Sequence, residues 1–258
     1  MTLVIQKPWY KKSSKYKGVW VPKTWQGLTS FYGPYVWTDG TDIYYSYNAN
    51  QYVLNKATNT WSEKTWTGLT RFNGYYIWTD GTNIYYSDTS SQYVLNKATS
   101  TWSAKTWTGM TSFNGNNIWT DGTYIYYSNN SYNYVLNKAT NTWNTKTWSG
   151  LTNIKGSNVW TDGEEIYYSS GSSQYVLNVA TSTWVKKSWG MTISGSLVWT
   201  DGEEIYYSSD SSQYVLNVAT STWLPKTWQG FTNIVGNYIW KDGNHIYYSK
   251  ATDQYELT

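Results

Sequence analysis

Apolar residues in this chain come in short runs set between turn formers. Over residues 74–107 the runs read GYYIWT, NIYYS, QYVLN and TWSAKTW, with Gly, Asp, Asn, Ser and Thr between them. Runs of this length, rich in Trp, Tyr, Ile, Val and Thr, predict strands joined by tight connections. Nothing reads as a helix of useful length. The runs are not equivalent. IYY and YVL are continuously apolar, as strands covered on both faces are. The fourth run of the preceding period, TWSEKTW at 60–66, carries Ser62, Glu63 and Lys64. That composition predicts an outer strand whose charges protect its edge from other chains.

The set of runs repeats. The Trp of each Trp-x-Asp-Gly hairpin stands at 37, 78, 119, 160, 199 or 240, in steps of 41, 41, 41, 39 and 41. A period near 40 with four strands is that of a propeller blade. The last run, QYELT (254–258), is a third strand with no fourth after it. The run KGVWVPKTW (17–25) is a fourth strand with no first three before it. Together they make one blade. The expected fold is all-β: a six-bladed β-propeller of four-stranded antiparallel blades. Its ring is closed by pairing the N-terminal strand with the C-terminal strands, which removes the open edges. Residues 1–16 form a basic arm, and residues 17–258 form the propeller, its last blade completed by residues 17–26.

Asp-Gly between the first two strands predicts a type I′ turn, with both centre residues at positive φ. That gives Asp39, Asp80, Asp121, Asp162, Asp201 and Asp242 a structural reason to be there. A ring of carboxylates can also bind a cation, and the turn reading is preferred. Blades four and five are near copies: residues 161–184 and 200–223 differ only at Gly171 against Asp210. Identity between repeats is therefore weak evidence of function, and difference says more.

The stretch NKATNTW (55–61), followed by DGTNIYYS (80–87), resembles the kelch repeat. Kelch blades carry an Asp-Pro-x-Thr-Asn-x-Trp turn between strands three and four and a Gly-Lys-Ile-Tyr-type start to strand two. The resemblance covers residues 17–258 and is closest to repeats of bacterial and phage proteins. It departs in two places. Ser46, Ser87, Ser128, Ser169, Ser208 and Ser249 begin the stretch where kelch has a double glycine, and Lys56, Lys97, Lys138, Val179 or Val218 stands at the turn proline. The resemblance implies the propeller fold and little about function, because propellers host many activities.

Composition narrows the partners. Aromatics are 20% of residues, with 28 Tyr and 19 Trp against 4 Phe, so most rings have a polar tip that suits half-buried β surfaces and wet interfaces. Net charge is +3, but Lys7, Lys11, Lys12, Lys15 and Lys17 supply more than that, and the rest of the chain is slightly acidic. Such a body lacks the basic footprint of a nucleic-acid groove. There is no Cys, hence no disulfide or thiolate chemistry. The opening MTLVIQKPWYKKSSKYKG has no apolar signal core, and no run approaches a membrane span. The expectation is a soluble protein, cytoplasmic or associated with a virion or surface assembly.

Catalytic constellations are sparse. His245 is the sole histidine, so His triads and His-rich metal sites are not expected. Copper-radical oxidases on kelch propellers need His, Tyr and Cys together, and six-bladed sialidases use several Arg where this chain has Arg71 alone. The pairs Glu164–Glu165 and Glu203–Glu204 suggest glycosidase carboxylates, but they sit on hairpin tips. The expected protein is not an enzyme and needs no cofactor or metal.

Variation gathers in the connections from strand two to three and from strand four to the next blade, while TDG and NKAT change little. Recognition usually looks like that. The candidate ligand-binding residues are Tyr32, Tyr35, Tyr47, Arg71, Tyr75, Tyr76, Asn116, Asn117, Tyr132, Asn158 and Tyr238. Flat rings beside amides and hydroxyls suit sugar faces and protein paratopes alike. The connection Trp189–Trp199 is two residues shorter than its counterparts and predicts a notch. Two readings follow: a lectin-like propeller for a glycan or protein ligand, or a structural or receptor-binding part of a phage or cell-surface assembly. In the second, the basic arm with Trp9 and Tyr10 does the docking.

Overall fold

The computed structural model describes residues 18–258. The fold is all-β, six antiparallel blades of four strands in the order of a six-bladed β-propeller. Blade two shows the pattern, with strands Ile77–Thr79, Ile84–Ser87, Gln92–Asn96 and Thr101–Ala104 paired in sequence order. Blades one to three lie in a compact unit of residues 34–157, and blades four to six in a second unit of residues 18–33 and 158–258. The blade holding both ends is built as the split runs predict. Trp20–Pro22 pairs antiparallel with Asp253–Leu257, Trp20 opposite Leu257. The basic arm expected at residues 1–16 lies outside the described residues.

The second strand is buried along its length, Ile84 to Ser87 without a break. The fourth keeps only its Trp inside, with Ser103 and Ala104 exposed. This gradient follows from radial blades, in which neighbouring sheets cover the middle strands.

Two local features depart from the sequence expectation. The run before each hairpin Trp is not one strand. Gly74–Tyr76 is a single 3-10 turn, and five other blades repeat it. The glycine is there for a close approach: a Cβ on Gly115 would stand 2.1 Å from the Tyr76 carbonyl oxygen of the preceding blade.

The Asp-Gly connections are also not type I′ turns. Gly81 has φ 91°, but no Asp of the set has positive φ. In blade two the connection is four residues long, between the paired Thr79 and Ile84. Asp80 Oδ1 accepts the N–H groups of Thr82 and Asn83 at 2.9 and 2.7 Å. Thr79 Oγ1 accepts the Gly81 N–H at 3.0 Å and donates to the Asn83 carbonyl at 2.7 Å. An Asx turn thus replaces the backbone turn. Blade six alone tightens further, pairing Asp242 with His245.

The Asp then anchors the blade. Asp80 Oδ2 accepts the Tyr85 hydroxyl at 3.0 Å. Tyr85 stacks on Trp78 at 4.5 Å, and the Trp78 indole N–H donates to buried Ser87 Oγ at 2.8 Å. All six hairpin indoles make this bond, at 2.8–3.0 Å.

Packing between blades is a three-indole cluster. Trp78, Trp107 and Trp143 have ring centroids 5.6–6.0 Å apart. Trp199, Trp228 and Trp20 repeat the cluster at 5.6–6.1 Å. The Lys of each Lys-x-Trp, read above as edge protection, folds its ammonium over the Trp two residues on. The distance is 4.6 Å for Lys105 and Trp107, within cation–π range.

Ser87→Ala leaves a buried indole N–H without its acceptor, which costs about 1–3 kcal/mol. Urea unfolding should show a lower midpoint at unchanged slope, and an unchanged midpoint would refute the role assigned to this bond.

Candidate functional site

The connections from strand two to three and from strand four onward meet at one end of each blade, because one glutamine ties them together. Gln51 Nε2 donates to the Asn48 carbonyl at 2.6 Å and to the Phe72 carbonyl at 3.3 Å. Gln92 does the same with Asp88 and Phe113, at 2.7 and 3.3 Å. In the second unit Gln174 reaches Gly171 and Met191, and Gln254 reaches Ala251 and Phe31. The glutamine is the first or second residue of the third strand, with its side chain filling the gap between two loops.

Blade three breaks this rule. Its third strand, Tyr132–Asn137, carries Asn133 where the other five blades have Gln51, Gln92, Gln174, Gln213 and Gln254. One methylene shorter, Asn133 reaches only the Thr152 carbonyl, at 3.0 Å. Its Oδ1 is buried and has no hydrogen-bond partner. A cavity of about 380 Å³ opens at this point. Tyr132, 64% exposed, stands on its rim. Tyr134 and Trp148 give it aromatic walls, and Asn133, Asn153, Ser131, Thr145, Thr147 and Thr152 give amides and hydroxyls. Lys146, the one charged residue of the lining, lies 4.6 Å from the Trp148 ring. The arrangement offers a ring face, neutral polar partners and a single cation.

Of the residues singled out from the sequence, Tyr132 alone lines this cavity. In the first unit Tyr35 packs on Tyr47 at 4.7 Å, and Tyr75 and Tyr76 lie in the same 3-10 turn with rings 5.5 Å apart. Arg71 is exposed. Asn116 and Asn117 share the turn Gly115–Asn117, and Asn117 is buried. In the second unit Tyr32 and Tyr238 lie 6.1 Å apart, with the Lys250 ammonium 5.4 Å from the Tyr238 ring. Asn158 Oδ1 accepts from Ser194 Oγ at 3.5 Å. These side chains form separate local groups. Sequence reasoning missed Asn133 because it sits inside a strand that reads as scaffold, yet the Gln-to-Asn difference between copies carries the signal. The shortened connection after Trp189 is held by Gln174, which donates to the Met191 carbonyl and accepts the Trp189 N–H.

Titratable groups elsewhere are committed to structure. Tyr167 OH lies 2.8 Å from Asp162 Oδ2 and 2.6 Å from Glu165 Oε2, and Tyr206 repeats this with Asp201 and Glu204. His245 Nδ1 and Lys23 Nζ both meet Glu256, at 2.7 and 2.9 Å. Lys241 replaces the hairpin Thr of the other blades, and burial pushes its ammonium down to about 8 against the opposing pull of Asp201. Among the described residues no three His, Asp or Glu side chains gather as a metal site would. No described helix is long and apolar enough to cross a membrane.

No family model matches the chain, and no curated protein matches it. Solved structures do. The extracellular domain of a hybrid two-component system from B. thetaiotaomicron is similar over 97% of this chain, at 14% identity and TM-score 0.53. A second such domain from the same organism is similar over 86%, at 13% identity and TM-score 0.54. The fold is what they share. This chain spans about a third of their length, 36% and 33%. The kelch resemblance remains one of local motifs.

The Asp–Tyr pairs set the response to pH. Burial works to raise the Asp80 carboxyl, but hydrogen bonds from Asn83, Thr82 and Tyr85 outweigh it and hold the group below the ordinary range. A folded-state value below the unfolded one adds stability above the unfolded value, and that stability is lost as pH falls through the folded value. Asp80→Asn should flatten the acid limb of the stability curve, and an unchanged limb would count against the pair. Burial, then Asp121, raises the Tyr126 phenol. Burial, then Asp80, raises Tyr85 likewise. Here the sign reverses: the unfolded chain releases protons first, so stability falls above pH ~10. Phenolate absorbance should rise in one step with unfolding for these residues.

Proposed function

We propose that the protein is a non-catalytic binding propeller that takes a saccharide ring in the cavity of blade three. The observation that carries the reading is Asn133. Five blades close this position with glutamine, and blade three carries a shorter amide there, in the lining of a cavity. Its buried Oδ1, like the Oε1 of Gln51, Gln92, Gln213 and Gln254, has no partner, and in blade three it belongs to the lining of a cavity where a ligand can bring a donor. Tyr132 supplies a flat face on the rim for the apolar side of a pyranose. The lining holds no carboxylate, so the site lacks the acid pair of a glycosidase. Two solved neighbours are extracellular domains of hybrid two-component systems, and a binding role for this chain is consistent with that likeness of fold.

The test uses the sibling blades as a guide. Asn133→Gln should intrude on the cavity and tie Ile154 as the other glutamines tie their loops, leaving thermal stability equal or higher. On a glycan array, and then by calorimetry on the best hit, this variant should lose binding by about tenfold or more, the worth of one buried polar contact. Tyr132→Ala should do the same by removing the stacking face. Binding undisturbed in both variants would exclude the cavity as the site.

A further inference from the structure

Blades four and five differ from their siblings at a second place, the opposite end of the blade. In blades two and three the lysine of the turn between strands three and four reaches the preceding blade. Lys138 Nζ donates to the Asp80 carbonyl at 2.7 Å, and Lys97 binds the Asp39 carbonyl. These turns and the Asp-Gly hairpins therefore share a face. Blades four and five replace the lysine with Val179 and Val218, each 51% exposed. Their outer strands expose Val185 and Leu224, where blades one to three carry Ser62, Ser103 and Asn144. Their hairpins bear Glu164, Glu165, Glu203 and Glu204, and no other blade has a glutamate there. The result is an exposed face that is both acidic and apolar. Its turns have valine where the siblings have lysine, so the glutamates face no turn cation, and the face fits a cationic segment with apolar side chains between its charges.

Residues 1–17 of this chain have that composition: five Lys, no acid, and Leu3, Val4, Ile5, Trp9 and Tyr10. The described chain starts where this segment would need to start. Gly18 lies against Trp228, and its carbonyl accepts the Gln229 N–H, just past exposed Leu224. Counting back from the strand-four Trp, Lys15 precedes Trp20 by the same five positions as Lys97 precedes Trp102 and Lys138 precedes Trp143. Gly18 has φ 77°, in the left-handed region that Asn59 (53°) and Ser221 (52°) occupy at the same register.

We infer that the acidic, apolar face of blades four and five is the docking site of residues 1–17 of the same chain, with Lys15 at the sequence position of the turn lysines. Seventeen extended residues reach at most about 60 Å, and sheets stack about 10 Å apart, so both blades are within range. The contact covers exposed valines and neutralises hairpin glutamates in one step.

Zero-length carbodiimide cross-linking of the full chain, read by mass spectrometry, tests this. The expected links join Lys15 to Glu203 or Glu204, and Lys11 or Lys12 to the glutamates of blade four. Links to other blades, or none, would overturn the inference. A mixture of isotope-labelled and unlabelled chains separates the remaining occupant. Links between copies would assign the face to a second molecule and overturn the intramolecular form. As a second readout, tryptic cleavage after Lys11 and Lys12 should speed up about tenfold, the equivalent of ~1.4 kcal/mol, in the variant Val179→Lys/Val218→Lys/Glu164→Gln/Glu203→Gln. These substitutions restore sibling residues or touch no hydrogen-bonded oxygen, so the melting temperature should hold. Equal cleavage in variant and wild type would also overturn the proposal.

Discussion

The hairpin indole of each blade is the part on which the others depend. Trp78 meets three demands at once. Its face stacks on Tyr85, its edge packs against Trp107 and Trp143, and its N–H is satisfied by Ser87. The first contact aligns strands one and two, the second fixes the spacing to the next blade, and the third removes the cost of burying a donor. Through Tyr85 the same ring reaches Asp80, whose other oxygen organises the hairpin. A residue that looked like turn chemistry is therefore the outer end of a chain of contacts running into the core. Phe cannot replace these rings, because the network needs an N–H on one and an O–H on the other.

That network is repeated with little change, and it makes the chain its own control. Where siblings agree, a residue is explained by the blade. Where one copy departs, the blade no longer explains it. Asn133 departs at one end of blade three, and Val179 and Val218 depart at the other end of blades four and five. The departures share a physical form. In each, a polar side chain that tied two loops together is shortened or replaced by one that cannot reach: glutamine by asparagine, lysine by valine. What is left is a cavity in the first case and uncovered apolar surface in the second.

The fold was legible because its signals are long-range and redundant. The spacing of Trp37, Trp78, Trp119, Trp160, Trp199 and Trp240 gives the blade, and the orphan strands at 17–25 and 254–258 give the last pairing. Local rules served less well. Asp-Gly suggested a two-residue turn, but Thr79 and Asp80 side chains compete for the same backbone groups and win with a longer loop. GYYIWT looked like one strand, but Gly74 is spent on an approach between blades that no single-blade reading reveals.

The candidate site was harder to read for a related reason. Searching for variable, exposed aromatics found Tyr132, whose side chain is on the surface. It also found Asn117, whose side chain is buried, and Tyr76, which packs on Tyr86 at 6.2 Å. Exposure of a loop residue depends on whether its 3-10 turn points the side chain outward, and the sequence carries no period for that. The cavity is lined at Asn133 by an amide one methylene shorter than its siblings, a difference of volume rather than of polarity. Hydropathy cannot register it, since Gln and Asn read alike. A comparison of side-chain reach at equivalent positions can, because Gln51 and Gln92 each meet the carbonyls of two loops and Asn133 meets one. The shorter amide reaches one loop only, and the cavity beside it has on its rim Tyr132, the most exposed tyrosine among the described residues.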